Sequence, residues 1–179
     1  MRTNIIIHSV SGNIYLIAQA LKDKLIEEGV DARVYRIEDS DLHIAAAKDN
    51  EANEYYEDIT SLPLASNEKL RKADTIVLAC PALFSLPSAE MVTFLNAAVA
   101  MRESRELEGK SFYAFSSSRY GEEEGKSAIT GLQLWADSMG LDIITDPLFV
   151  YDDGSIVAKR PGVEIDGIVS EIASAISGR

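Results

Sequence analysis

A short polar turn at residues 9–14 is the part of the chain whose residue types best suit a chemical role, because it could hold a phosphate. It lies between an apolar run, which predicts a buried strand, and an apolar stripe at helical spacing. A helix that begins directly after such a turn presents free backbone N–H groups, which bind phosphate. The candidate contacts are Ser9, Ser11, Gly12, Asn13 and Ile14.

The spacing of this turn limits the kind of phosphate. It lacks the additional glycines of a dinucleotide fingerprint, and Asn13 stands where a Walker loop needs lysine. The turn therefore favours a phosphate monoester held by neutral donors. The alternative is an ordinary strand–helix turn in which Ser11 or Asn13 caps the helix.

Two further loops follow predicted strands and could line a planar ligand. The first is stiffened by two prolines, Pro81 and Pro87, and its candidate contacts are Pro81, Ala82, Leu83, Phe84 and Ser85. The second is rich in hydroxyl groups and consists of Ser116, Ser117, Ser118, Arg119, Tyr120 and Gly121. Arg119 offers a charge and Tyr120 a stacking surface, so these two are the candidate catalytic residues. The alternatives are a loop that plugs the core and a solvated arginine.

The elements that must position these loops alternate along the chain. Strands are predicted at 3–8, 32–37, 74–80, 112–116 and 142–150, and apolar stripes at helical spacing follow most of them. This alternation predicts one α/β domain over residues 1–179, a three-layer sandwich around a five-stranded parallel sheet. The flavodoxin-like strand order 2-1-3-4-5 would bring the three loops to the carboxyl edge of that sheet.

The segment at residues 38–65 is too acidic for a packed element, so the sequence predicts a long loop there, with a short helix at about 66–72. Tyr55 and Tyr56 within it could cover a planar ligand, pack against another subunit, or lie half-buried.

Composition excludes several classes of protein. The 179 residues carry a net charge of −12, which disfavours nucleic acid as a partner. The absence of a long apolar run predicts no membrane span, and a poor signal peptide favours a cytoplasmic protein. The single cysteine, Cys80, is expected to be buried, and the two histidines predict no metal site.

A resemblance adds to this interpretation. The segments Ala-Asp-Thr-Ile-Val-Leu-Ala-Cys-Pro-Ala-Leu-Phe-Ser (73–85) and Leu-Glu-Gly-Lys-Ser-Phe-Tyr-Ala-Phe-Ser-Ser-Ser (107–118), together with the turn at 9–14, resemble the tryptophan-repressor-binding-protein type of NAD(P)H:quinone oxidoreductase. The resemblance implies FMN, with its phosphate in the first turn, its ring against residues 81–85, and its ribityl chain or far ring edge against Ser116–Ser118 and Gly121.

The chain also departs from that family. Ala82–Ser85 replaces the usual Thr-Arg-Phe-Gly, the histidine expected near Asp137 is missing, and the segment Tyr151–Ser155 is short. The favoured function is still an FMN-dependent oxidoreductase that passes electrons from NAD(P)H to a quinone or similar acceptor. A flavodoxin-type electron carrier that docks redox proteins and a module without cofactor are the alternatives, and a homo-oligomer is left open.

Overall fold

A mostly parallel sheet forms the centre of the protein in a computed structural model that describes residues 1–153 and 160–179. The strands are β1 (Arg2–Ile7), β2 (Asp31–Arg36), β3 (Thr75–Leu83), β4 (Leu86–Pro87), β5 (Ser111–Ser118), β6 (Asp142–Ile143) and β7 (Val150–Asp152). The order β2-β1-β3-β5-β6 confirms the predicted flavodoxin-like sheet. β7 pairs with β5 in parallel, and β4 forms an antiparallel hairpin with β3.

The prediction of one continuous strand at 142–150 is wrong. Only its two ends are strands, β6 and β7, and they pair with opposite ends of β5. Pro147, between them, has no N–H to donate to a strand ladder. This break and the added hairpin explain why seven strands replace the predicted five.

Helices cover both faces of the sheet. They are α1 (Asn13–Glu27), α2 (Leu42–Lys48), α3 (Asn50–Glu54), α4 (Tyr56–Ser61), α5 (Asn67–Arg71), α6 (Ala89–Asn96), α7 (Val99–Glu103), α8 (Glu122–Ser138) and α9 (Asp166–Ser177), the last preceded by a 3₁₀ turn at Val163–Ile165. β1 divides the core by its alternation, because Ile5 and Ile7 pack with α1 and α9 while Ile6 packs with α6 and α8.

The segment at 38–65 corrects the prediction of a long loop, since it holds α2, α3 and α4. Leu42, Ala52 and Ile59 are buried, one in each helix. One apolar contact per turn is enough to hold a short helix against the core while its carboxylates remain in solvent. The helix predicted at 66–72 is confirmed as α5.

The single tryptophan lies on α8, away from the predicted loops. The Trp135 and Phe112 rings pack with their centroids 6.3 Å apart, against the core face formed by α6 and α8. In the described part of the chain, no helix is both long enough and apolar enough to cross a membrane.

A close approach of α8 to β7 gives a first prediction. A Cβ on Gly125 would lie 2.3 Å from Cγ1 of Val150. Alanine normally stabilises a helix by about 1 kcal/mol over glycine, whereas overpacking a core costs about 1–3 kcal/mol. Urea denaturation should therefore show Gly125→Ala to be less stable than the wild type.

The matched control lies in the same helix. A Cβ on Gly131 would meet Pro87 at 3.4 Å, which is an ordinary contact. Gly131→Ala should leave stability unchanged or raise it by up to about 1 kcal/mol. Equal stability changes in the two variants would contradict the overpacking argument.

Candidate functional site

The three predicted loops meet around one cavity of about 320 Å³ at the carboxyl edge of the sheet. Parallel strands bring their carboxyl ends to one edge, so β1, β3 and β5 each contribute to its wall. The predicted residues that line it are Ser9, Ser11, Ile14, Pro81, Ala82, Leu83, Ser117, Arg119 and Tyr120. Sequence reasoning missed five others, which are His8, Val10, Asp49, Ala52 and Asp153.

The turn at 9–14 has the geometry of a helix N-terminus. Gly12 is the N-cap residue of α1 with φ of 96°, and a Cβ there would lie 2.5 Å from the Tyr55 ring. The Ser9 hydroxyl accepts a hydrogen bond from the backbone N–H of Tyr15 at 3.1 Å. The first N–H groups of a helix have no partner within it, so the turn retains backbone donors for an anion.

Asn13 does not offer its amide to a ligand in the way the sequence suggested. Its Nδ2 donates to Asp153 Oδ2 at 3.0 Å, and its Oδ1 accepts from Arg160 at 3.2 Å. The side chain is buried and bonded at both ends. Asn13 therefore holds the turn in place, and the serines and backbone supply the donors.

Asp153 is a carboxylate in the cavity wall that follows β7. It is 9% exposed, and its Oδ1 atom has no hydrogen-bond partner among the described residues. An unpaired buried acceptor is costly, so a ligand that brings a hydroxyl group to this atom would recover a bond. Of the segment Tyr151–Ser155 noted in the sequence, Gly154 and Ser155 lie outside the described residues.

The five residues predicted to contact a planar ring, residues 81–85, fall into two groups. Three of them line the cavity, and the other two form the tip of a hairpin. Pro81, Ala82 and Leu83 extend β3 rather than forming a loop. Phe84 and Ser85 form the two-residue turn to β4, with φ of 53° and 64°, as a type I′ hairpin requires. Phe84 is 92% exposed, and neither turn residue is among those that line the cavity.

The serines predicted as a loop are the buried end of β5. Side chains alternate along a strand, so Ser117 lines the cavity while its two neighbours face the other side. The Ser116 hydroxyl donates to the Cys80 carbonyl at 2.9 Å, and that of Ser118 to Glu124 at 3.2 Å. Gly121 begins the turn into α8 and does not line the cavity.

Arg119 and Tyr120 stand at the cavity mouth. The Arg119 guanidinium lies 3.3 Å from the Glu51 carboxylate; the Arg119 side chain is exposed, and that of Glu51 is half-buried. Tyr120 is 78% exposed while still lining the cavity. An exposed aromatic ring beside a cation suits a second ligand that enters from solvent.

Comparisons with known proteins place these features in a family. The family model described as NADPH-dependent FMN reductase matches residues 1–153, which include all three loops. The chain belongs to the NADPH-dependent FMN reductase family.

One curated relative agrees with this assignment, and two solved structures share the fold. A curated protein of Archaeoglobus fulgidus, named NAD(P)H dehydrogenase (quinone), is 28% identical over 140 residues, covering 77% of this chain and 73% of that protein. A solved WrbA-like flavodoxin from Agrobacterium tumefaciens has a TM-score of 0.71 at 16% identity, covering 99% of this chain and 95% of its own. Oxidised Flavodoxin 1 from Bacillus cereus has a TM-score of 0.70 at 17% identity, covering 100% and 99%.

This FMN reductase family member is an FMN-dependent oxidoreductase, and its residues fit the flavin. Neutral donors at the start of α1 suit the phosphate, and the unpaired Asp153 oxygen suits a chain of hydroxyl groups. The apolar edge from Pro81 to Leu83 suits a flat ring. No single one of these features would identify the ligand, but they line the same cavity.

A buried histidine links the 320 Å³ cavity to a second cavity of about 470 Å³. His8 Nδ1 lies 2.8 Å from the Ser88 hydroxyl, and its Nε2 lies 3.1 Å from Asp39. Glu90 is also near, 3.6 Å from Nδ1. One ligand atom from each of His8, Asp39 and Glu90 lies within 4.8 Å of the other two, and hydrogen bonds connect His8 to Ser88 and Asp39.

Cys80 is a packing residue. It is fully buried at the base of the hairpin, and burial raises the pKa of its thiol to about 11, against the opposing effect of hydrogen bonds with Ser88. A thiol that stays protonated is a poor nucleophile. The prediction of a buried small hydrophobe is confirmed.

Proposed function

We propose that the protein binds FMN in the 320 Å³ cavity, oxidises NAD(P)H and passes the electrons to a quinone or a similar acceptor. The observation that carries this proposal is the convergence of the three loops on one cavity with complementary walls. Membership of the FMN reductase family supports the flavin and the nicotinamide. The name of the Archaeoglobus fulgidus relative supports the quinone.

Each part of the cavity would bind one part of the cofactor. The turn at 9–14 holds the phosphate by its backbone N–H groups and the Ser11 hydroxyl. Ser117 and Asp153 accept hydrogen bonds from the ribityl hydroxyls. The rigid Pro81 edge packs against the ring and excludes water from one side of it.

Bound FMN supplies the redox chemistry, since a flavin can take a hydride from a nicotinamide and return electrons to an acceptor. The protein then has to orient the two substrates. Tyr120 gives the nicotinamide or quinone ring a stacking surface at the mouth, and Arg119 offsets the negative charge of NAD(P)H. Such a reaction needs no catalytic triad, which agrees with the residue types in the cavity.

Steady-state kinetics with the flavin-loaded protein would test this proposal. Oxidation of NADPH or NADH should require bound FMN, so the flavin-free protein should be inactive. It should also require a quinone such as benzoquinone. Tight FMN binding without nicotinamide oxidation, with any quinone, would reject the reductase. That outcome would favour the second candidate, an electron carrier, for which the net charge of −12 is suited to docking basic redox proteins.

Replacement of Arg119 tests the substrate side of the site. Arg119→Ala should raise the KM for NAD(P)H about tenfold, the effect of losing one useful charged contact of about 1.4 kcal/mol. FMN should remain bound, because Arg119 lies at the mouth and not at the turn.

The control for this variant is Arg33→Ala on β2, which removes an exposed arginine paired with Asp31. It should leave the KM unchanged. A KM for Arg119→Ala within twofold of the wild type would remove Arg119 from the substrate site.

A further inference from the structure

The phosphate turn carries little positive charge of its own. Residues 9–14 contain no basic side chain, and Asp49 and Asp153 both line the cavity beside them. A phosphate dianion placed there would meet these carboxylates. Neutral N–H donors offset part of that repulsion, and a nearby cation would offset more.

Arg160 supplies a cation to this turn from the far end of the chain. Its Nη1 donates to the Ser11 carbonyl and to Asn13 Oδ1, the second at 3.2 Å. Its Nη2 donates to the Glu51 carbonyl at 3.1 Å, and Nη2 and Nε both donate to Glu54 Oε2, at 2.6 and 3.1 Å. The five N–H groups of the guanidinium are therefore all engaged by the protein.

The Tyr55 ring fixes Arg160 from another side. The guanidinium carbon lies 4.9 Å from the ring centroid, within the range of a cation–π contact. The same ring packs against Gly12 and against Tyr15, the latter with centroids 5.9 Å apart. Arg160 thus joins the turn to α3, and its side chain is only 22% exposed.

The bond to the Ser11 carbonyl orients a donor of the turn. The carbonyl of Ser11 and the N–H of Gly12 belong to one planar trans peptide and point in opposite directions. When Arg160 holds the carbonyl, the Gly12 N–H is held pointing away from the guanidinium, within a turn whose Ser11 lines the cavity. A donor fixed before binding costs less entropy when the anion arrives.

We propose that Arg160 is the positioning residue that makes this turn selective for a phosphorylated flavin. It holds the turn's carbonyl and amide groups in place, and its charge, although paired with Glu54, offsets part of the charge of the phosphate. This inference rests on the proposed FMN site. Because its donors are already engaged, Arg160 acts on the phosphate through the turn and through its charge, without a direct hydrogen bond.

The test compares two flavins that differ only in the phosphate. Isothermal titration of the full chain, freed of flavin by dialysis, would give dissociation constants for FMN and riboflavin in the wild type and in Arg160→Gln. Loss of the Arg160 charge and of the bond that holds the Ser11 carbonyl should weaken FMN about tenfold, with riboflavin changed by less than about twofold. Raised salt should also narrow the wild-type preference for FMN.

Two further variants control this comparison. Arg160→Lys keeps the charge but cannot make the planar set of bonds, so it should lose about threefold in FMN preference. Arg71→Gln removes another arginine that is paired with a glutamate, Glu106, far from the turn, and it should change neither affinity. If circular dichroism shows that Arg160→Gln does not fold, the ratio of the FMN and riboflavin dissociation constants of Arg160→Lys is the deciding measurement.

The outcomes separate the inference from the proposed function. Equal weakening of both flavins, or no change in either, would overturn the role of Arg160 while leaving the FMN site in place. A wild type that does not distinguish FMN from riboflavin would reject the phosphate site itself, and the inference with it.

Discussion

Gly12→Ala is expected to be the most damaging single substitution in the phosphate turn, lowering the free energy of unfolding by about 3 kcal/mol. Two costs add. The backbone at Gly12 has φ of 96°, which an L-residue adopts only with strain. The new Cβ would also lie 2.5 Å from the Tyr55 ring, so the ring must move. Urea denaturation measures the loss, and FMN titration should show weakened binding.

Gly29→Ala separates these two costs. Its φ of 81° carries the same backbone strain, but a Cβ there would meet nothing within 4 Å. It should lose only about 1 kcal/mol. The difference between the variants measures the clash with Tyr55, and Tyr55→Ala should be less harmful in the Gly12→Ala background than in the wild type. Equal losses at Gly12 and Gly29 would contradict the close packing.

Asn13→Asp is expected to weaken FMN about a hundredfold at neutral pH, roughly 2–3 kcal/mol for a carboxylate placed beside a phosphate dianion. The new oxygen would also stand 3.0 Å from Asp153 Oδ2, in place of the amide that now donates to it. The two carboxylates would repel each other at this distance, so the pKa of the introduced carboxyl rises above its usual value.

The pH dependence of this variant follows from that raised pKa. Below the raised pKa one carboxyl is neutral, so the loss of affinity should shrink as the pH falls. The control is Asn13→Ser, which breaks the same hydrogen bonds but adds no charge. It should show a smaller loss and no recovery in acid. If the aspartate and serine variants bind FMN equally well at every pH, charge at this position is irrelevant to the ligand.

Much of the fold could be predicted because its signals are local. The apolar run that became β1 and the stripes that became α1, α8 and α9 are long enough to indicate their own type. The helices at 42–61 could not be found this way. Each of these short helices is held by isolated buried residues such as Leu42 and Ile59, whose packing partners are distant in sequence. The many acidic residues around them therefore indicated a loop.

The site was predictable only to the level of loops. The topology brings the ends of β1, β3 and β5 together, so segments could be named from the strand order alone. The predicted strand ended at residue 116, whereas β5 ends at Ser118. With that end point, the alternation of side chains along a strand would have predicted that Ser117 faces the opposite side of the sheet from Ser116 and Ser118. Asp153 and Arg160 gave no such signal, because each meets Asn13 across about 140 residues or more of chain.

The position of Trp135 provides an intrinsic fluorescence signal for the folded state of the protein. Trp135 is the single tryptophan, and it lies on α8 with its ring packed on Phe112. The core residues around it do not line the flavin cavity. The wavelength of its emission maximum therefore follows unfolding of the whole chain, while flavin absorbance at longer wavelength follows occupancy of the site. The two signals can be recorded in the same cuvette, so a variant that merely loses its cofactor is distinguished at once from one that loses its fold.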